Sequence, residues 1–335
     1  MLRSLAVVLG VAALAAGVLA QSNFVDDAGR AVVLPARPSR VFAAGAPADM
    51  LLYTLAPELL VGRNRVPSGE ALEFVPPAYR NPRLIRQLPE VDNPAADAEL
   101  IALKPEVYVD YGTVAPDYIE SLEAVQRRTG VPGIILDGAL ARVPDAYRRL
   151  GAALGISERG QRLGDAAARL LNKYRGALAR GSAPVRVYLA CSADGYMPCL
   201  ADESGGEQLQ WLGGVNVAGT RASGPRRPLT IDEIKALSPD VIVISGSVAR
   251  LRSDSAWQVV DAVKAGRVYA WPTLPDGWGS RPPSVNRLPG IAWLVYVASG
   301  RRLDSEFEAD VRAFFRDFYH LDLTGAQMRK LLQAS

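Results

Sequence analysis

The residues best suited to chemistry sit in one stretch, WPTLPDGWGSRPPSVNR, from Trp271 to Arg287. Four prolines and two glycines there require an irregular, rigid loop. Trp271 and Trp278 supply flat apolar faces, while Arg281, Asn286 and Arg287 supply hydrogen-bond donors. Stacking faces beside guanidinium forks suit the holding of an organic ligand rather than its conversion. Catalytic equipment is sparse. His320 is the single histidine, which disfavours Ser-His-Asp hydrolysis and most zinc sites. No G-x-G-x-x-G, G-x-x-x-x-G-K-[ST] or G-x-S-x-G occurs, so the usual nucleotide and nucleophile signatures are missing. The one G-x-G, Gly277-Trp-Gly279, runs into Ser280-Arg-Pro-Pro, which does not open a phosphate-binding helix. An enzyme therefore finds no support in the residues, and no intrinsic cofactor is expected. Cys191 and Cys199 are the only cysteines. In an oxidising compartment such a pair suggests a disulfide closing a short hairpin, two buried thiols being the alternative.

The elements that must position these residues alternate in type. Phe24 to Pro38 reads as a hairpin turning at Asp27-Ala-Gly29. Strands are expected at 40–44, 59–62, 107–111 and 133–136, then at 185–190, 215–218, 241–245 and 267–271, with helical patterns between them. That alternation predicts an α/β fold of two Rossmann-like αβ lobes with mainly parallel central sheets. The phrase LIALKPEVYVDYG, Leu100 to Gly112, returns as EIKALSPDVIVISGS, Glu233 to Ser247, with Pro105 and Pro239 lying 239 − 105 = 134 residues apart. Each copy reads as a helix, a proline-bearing turn and a buried parallel strand. Open α/β sheets bind ligands beyond the carboxyl ends of their strands, so two such edges facing each other form a cleft. Between the copies, Leu163, Ala167, Leu170, Tyr174 and Leu178 form one apolar stripe, predicting a long helix over 157–182 with Ser157 at its start and Gly181 at its end. The expected domains are an N-terminal lobe over 21–156, this interlobe helix and a C-terminal lobe over 183–335.

Composition is that of a globular chain, 49% hydrophobic and 22% charged. A formal net charge of +3 is too small for bulk electrostatic binding of nucleic acid. Residues 1–20 carry one early cation, Arg3, an uncharged run from Ser4 to Leu19 and small residues toward Ala20. This is the pattern of a secretory signal peptide cut after Ala20, and it implies a periplasmic product.

Several motifs, in order, now carry a family resemblance. They are Asp27-Ala-Gly29-Arg30, Pro38-Ser-Arg40-Val41, LLVGRN, IALKPEV, LGGVNVAG, ALSPDVIVISG, AGRVYAW and SRPPSVNRLPGIAWL. The mature chain resembles the periplasmic substrate-binding proteins of iron-chelate (siderophore) and cobalamin ABC importers, the class whose two lobes are joined by a single long helix. The resemblance implies a monomer that captures a small molecule between its lobes and hands it to a membrane permease with its ATPase. Relatives that bind bare zinc or manganese use several histidines, so an iron(III) chelate is preferred here, with a corrinoid or an oxyanion such as molybdate or tungstate as alternatives. The expected ligand contacts are Ala46 and Pro47 after the first strand, Arg63 and Arg65, Tyr111 and Gly112, and, from the second lobe, Tyr196, Arg221, Ser245, Trp271, Trp278, Arg281 and Arg287. So many arginines favour an anionic ligand. In this family acidic residues dock each lobe to the permease. Asp232 or Glu233 takes the matching position in the second lobe, and Asp97 and Glu99 flank it in the first.

Overall fold

The computed structural model describes residues 21–85, 93–181, 183–279 and 282–333. The expected leader, residues 1–20, and Arg281 lie outside the described residues. Among the described residues no helix is long and apolar enough to cross a membrane.

Strands β1 (Gln21–Val25) and β2 (Ala31–Pro35) pair antiparallel as the expected hairpin. Its turn is built by Asp26, whose carboxylate accepts the backbone N–H groups of Ala28 and Arg30, with Gly29 at φ +77°. The same carboxylate and the Asp27 backbone also bond Ile135, fastening the hairpin to the first sheet. That sheet is parallel, with β3 (Val41–Ala43), β4 (Val107–Gly112) and β5 (Gly133–Asp137) in that order. The second is also parallel, with β6 (Arg186–Ala190), β7 (Val215–Asn216), β8 (Val241–Ile244) and β9 (Val268–Ala270) in the order β7-β6-β8-β9. Leu60 bridges Val41 on the free side of β3, occupying in the first sheet the place β7 has in the second.

Helices alternate with these strands as parallel sheets require. In the first half they are α1 (Ala46–Leu55), α2 (Pro94–Leu103), α3 (Pro116–Thr129) and α4 (Val143–Ala153). Then follow α5 (Ser157–Tyr174), α6 (Glu207–Trp211), α7 (Ile231–Ala236), α8 (Val248–Ser253) and α9 (Asp261–Lys264). The chain closes with α10 (Arg287–Ala298), α11 (Ser305–Phe318) and α12 (Gly325–Gln333). Every residue of α10 is buried, as befits a helix apolar on all sides. One core cluster runs from Val41, Val109 and Ile134 through α5 and α10 to Val187, Leu189 and Val243.

The repeated phrase has a physical basis that reaches individual hydrogen bonds. Lys104 and Ser238, each just before the repeated proline, both adopt a left-handed backbone, at φ +47° and +46°. Arg40 donates to the carbonyls of Leu103 and Lys104, and Arg186 donates to those of Leu237 and Ser238. Glu106 and Asp240, the acids after each proline, accept the backbone N–H of Arg40 and Arg186 in turn. Each lobe thus caps its helix end with the arginine that opens its first strand.

Three expectations are corrected. The strand expected over 59–62 is a short 3-10 turn, Pro57–Leu59, followed by one bridging residue. At the other edge, β7 spans only two of the four residues expected. The helix expected over 157–182 starts one residue after its cap, Ile156, and stops at Tyr174. Gly176, at φ +64°, breaks it earlier than Gly181, because the backbone N–H groups of Gly176 and Leu178 turn aside to bond Trp211 and Leu212.

Candidate ligand-binding cleft

The carboxyl ends of β4 and β5 face loops of the second half across a cavity of about 740 Å³. The first half contributes Gly112, Thr113, Asp137 and Gly138, and the second contributes Cys191, Asp202, Glu203, Glu207, Arg221, Arg226 and Pro283. Gly138 permits the narrow floor, since a Cβ there would lie 2.7 Å from the Cα of Gly112. Asp137 accepts the backbone N–H of Ala139 at 2.9 Å, which turns the chain at the strand end. Opposite, Glu203 lies 3.2 Å from Arg221 and 3.6 Å from Arg226, while Asp202 accepts the backbone N–H of Arg221.

The wall beside β6 is a hairpin in which Cys191 and Cys199 donate backbone N–H bonds to Met197 and Leu189. The two cysteines form the expected disulfide, with a Cα separation of 5.1 Å. A loop this short gives about 2–3 kcal/mol by chain entropy. Replacing both cysteines by serine is expected to lower Tm by about 5 °C. Thermal unfolding of the variant, beside wild type under reducing conditions, checks this.

Arg287 closes the floor. Its side chain is wholly buried, donating to Glu207 at 2.6 Å, to the Gly138 carbonyl at 2.6 Å and to the Ser284 carbonyl at 3.2 Å. Glu207 in turn accepts the backbone N–H of Leu140 at 3.0 Å, so both residues tie the second half to the end of β5. Tyr111 lies beneath; burial pushes its phenol up, and the nearby Arg287 charge opposes that shift.

The residues expected at the ligand fall into distinct groups. Gly112 and Arg221 line the cavity. Ala46 and Pro47, half-buried at the start of α1, line none of it. Arg63 is buried against Asp49 at 2.8 Å, with its guanidinium 4.2 Å from the Tyr53 ring centre. Burial pushes the Asp49 carboxyl up, against the pull of Arg63. Arg65 reaches from the first half to Asp276 on the proline loop, 3.3 Å away. Ser245, exposed at the end of β8, donates to the Ala190 carbonyl.

The remainder do not line this cavity. Trp278 has no exposed surface, and its indole N–H is used by the Leu274 carbonyl. Trp271 is buried against Trp293, with Gly279 over its indole face. Tyr196 packs on Trp257 on the opposite face of the second sheet. Tyr111 and Arg287 form floor rather than contact surface. The two indoles of the proline loop are thus buried in the core, where removing them from water stabilises the fold. Asp137, Asp202, Glu203, Glu207 and Arg226 were missed. The strand-end rule pointed to Asp137, but nothing in ADESGGE announced Asp202, Glu203 and Glu207, and nothing in SGPRRP announced Arg226.

Among the docking acids, Asp97 is buried in an ion pair with Arg128, so it presents no carboxylate outward. Glu99 is half-buried on α2 and Asp232 is exposed on α7. Glu233 forms a capping box with Thr230 and pairs with Arg227, which hold its carboxyl down at about 2. His320 lies away from the cleft beside Arg159, where burial pushes its imidazole down.

Two parallel αβ lobes with a polar cavity between their strand ends define a solute-binding architecture. The chain belongs to the periplasmic binding protein family, whose model matches residues 77–274, more than half of the chain. Among solved structures it is similar to an ABC transporter solute binding protein from Sulfurospirillum deleyianum, with 21% identity, 93% of this chain and 99% of that one covered, and a TM-score of 0.80. It is also similar to a periplasmic solute binding protein from Veillonella parvula, at 19% identity, with coverage of 93% and 97% and a TM-score of 0.71. A third likeness is to the molybdate periplasmic binding protein of Haemophilus influenzae, at 18% identity, with coverage of 90% and 99% and a TM-score of 0.69. No curated protein sequence matches the chain.

Proposed function

We propose that this protein is the periplasmic solute-binding component of an ABC importer, capturing an organic iron(III) chelate between its lobes and delivering it to a permease and its ATPase. The observation that carries the reading is the cavity of about 740 Å³ between the strand ends, with charged groups on both walls. That volume is in the range that encloses an organic ligand of several hundred daltons. A bare oxyanion would leave most of it empty, and would meet Asp137, Asp202, Glu203 and Glu207 there. With one histidine in the chain, a naked transition metal lacks its usual ligands.

The test is a titration of mature protein, followed by intrinsic tryptophan fluorescence, with ferric trihydroxamate, ferric catecholate, ferric citrate, molybdate and a corrinoid. Saturable binding of a ferric chelate at micromolar affinity or tighter is expected. Saturation by molybdate or the corrinoid alone would overturn the iron reading.

A further inference from the structure

We infer that the cleft selects a chelate that is neutral or carries a single positive charge and discriminates against anionic chelates of the same size. The inference rests on the chelate reading above and adds the charge class of its ligand.

Counting arginines in the sequence suggests the opposite, but among the described residues that line the cavity four are carboxylates, Asp137, Asp202, Glu203 and Glu207, and two are arginines, Arg221 and Arg226. Arg221 and Arg226 share Glu203, at 3.2 and 3.6 Å. Arg287 is held by Glu207 at 2.6 Å. Two further carboxylates line the cavity. Asp202 has its oxygens on the backbone N–H of Arg221. Asp137 has the backbone N–H of Ala139 and, at 3.9 Å, Arg142, a cation it shares with Asp27 and Asp145. An anionic ligand therefore meets more negative than positive side chains on the cavity wall, and that repulsion costs affinity. A ligand rich in amide and hydroxyl groups can accept from the arginines and donate to Asp137 and Asp202 without separating any pair. An ammonium group would gain further from those two carboxylates.

The experiment holds the chelate constant and varies only its charge. Ferrioxamine B, a ferric trihydroxamate with a free ammonium group, is compared with its N-acetylated and N-succinylated derivatives, giving net charges of about +1, 0 and −1 at neutral pH. Calorimetry at low salt is expected to show Kd rising several-fold at each step from ammonium to succinyl, and the Asp137→Asn/Asp202→Asn variant is expected to flatten the series. A series that is flat in wild type, or tightest for the succinylated form, overturns the inference, as does binding of a ferric catecholate when all three derivatives fail. In those cases iron-chelate binding itself stands. Failure of every ferric chelate sinks the chelate reading and this inference with it.

Discussion

Replacing Arg287 by leucine is expected to cost about 3–5 kcal/mol of stability, among the largest single-residue effects foreseen for this chain. The guanidinium is entirely enclosed and serves Glu207, the Gly138 carbonyl and the Ser284 carbonyl. Leucine fills part of the space and satisfies none of them. Glu207 would keep only the Leu140 N–H and become a poorly compensated charge at the cavity floor. Lysine is expected to recover less than half of the loss, since a single ammonium cannot reproduce a planar fork that spans three acceptors. Urea unfolding followed by circular dichroism should show a lower midpoint for both variants at an unchanged slope, with leucine below lysine. A leucine variant within about 1 kcal/mol of wild type would show that the floor is wetter than its geometry indicates. The ligand consequence follows from connectivity: Arg287 touches Gly138 and Glu207, two cavity residues on opposite walls. Its loss should loosen the spacing on which any ligand depends.

Much of this fold was legible in the sequence because it is written in local patterns. Apolar runs marked β4, β5, β6 and β8 to within a residue or two at each end, and the repeated Leu-x-Pro phrase marked the two lobes as one design used twice. Arg40 and Arg186 explain why the phrase persists, since a left-handed residue before proline leaves helix carbonyls that need a donor from elsewhere. The end of α5 was misplaced because Gly176 and Gly181 are equivalent as stop signals. Only the nearby Trp211 and Leu212 carbonyls select the first.

The site was less legible, for a reason that concerns arginine. The sequence shows a guanidinium but not the carboxylate that meets it, and here the partners are remote, Glu207 for Arg287 and Asp276 for Arg65. A count of arginines therefore overstated the positive charge of the cleft. The burial of the two tryptophans was hidden for a related reason. Proline and glycine fixed an irregular loop, but side-chain direction within it depends on α10, against which Trp271 packs through Trp293.

The pair Asp49–Arg63 tests whether a buried charge in this fold holds stability or only position. Arg63 makes three N–H···O contacts to the Asp49 carboxylate, at 2.8–3.2 Å, and lies over the Tyr53 ring. Arg63→Met or Asp49→Leu alone strands the other charge, and each is expected to cost about 3–5 kcal/mol. The double variant removes both charges and leaves an apolar pair against Tyr53, so its cost is expected to be about 1–2 kcal/mol, far below the sum. Urea midpoints for the four proteins give the coupling directly. If the double variant instead loses as much as both singles together, the pair is independent of its own electrostatics and packing alone decides the site. Arg63 also holds the strand-end loop from which Arg65 reaches Asp276 on the proline loop. A stable double variant with weakened chelate binding would therefore assign the buried pair to positioning the Arg65–Asp276 contact between the two halves, separating that role from its contribution to the fold.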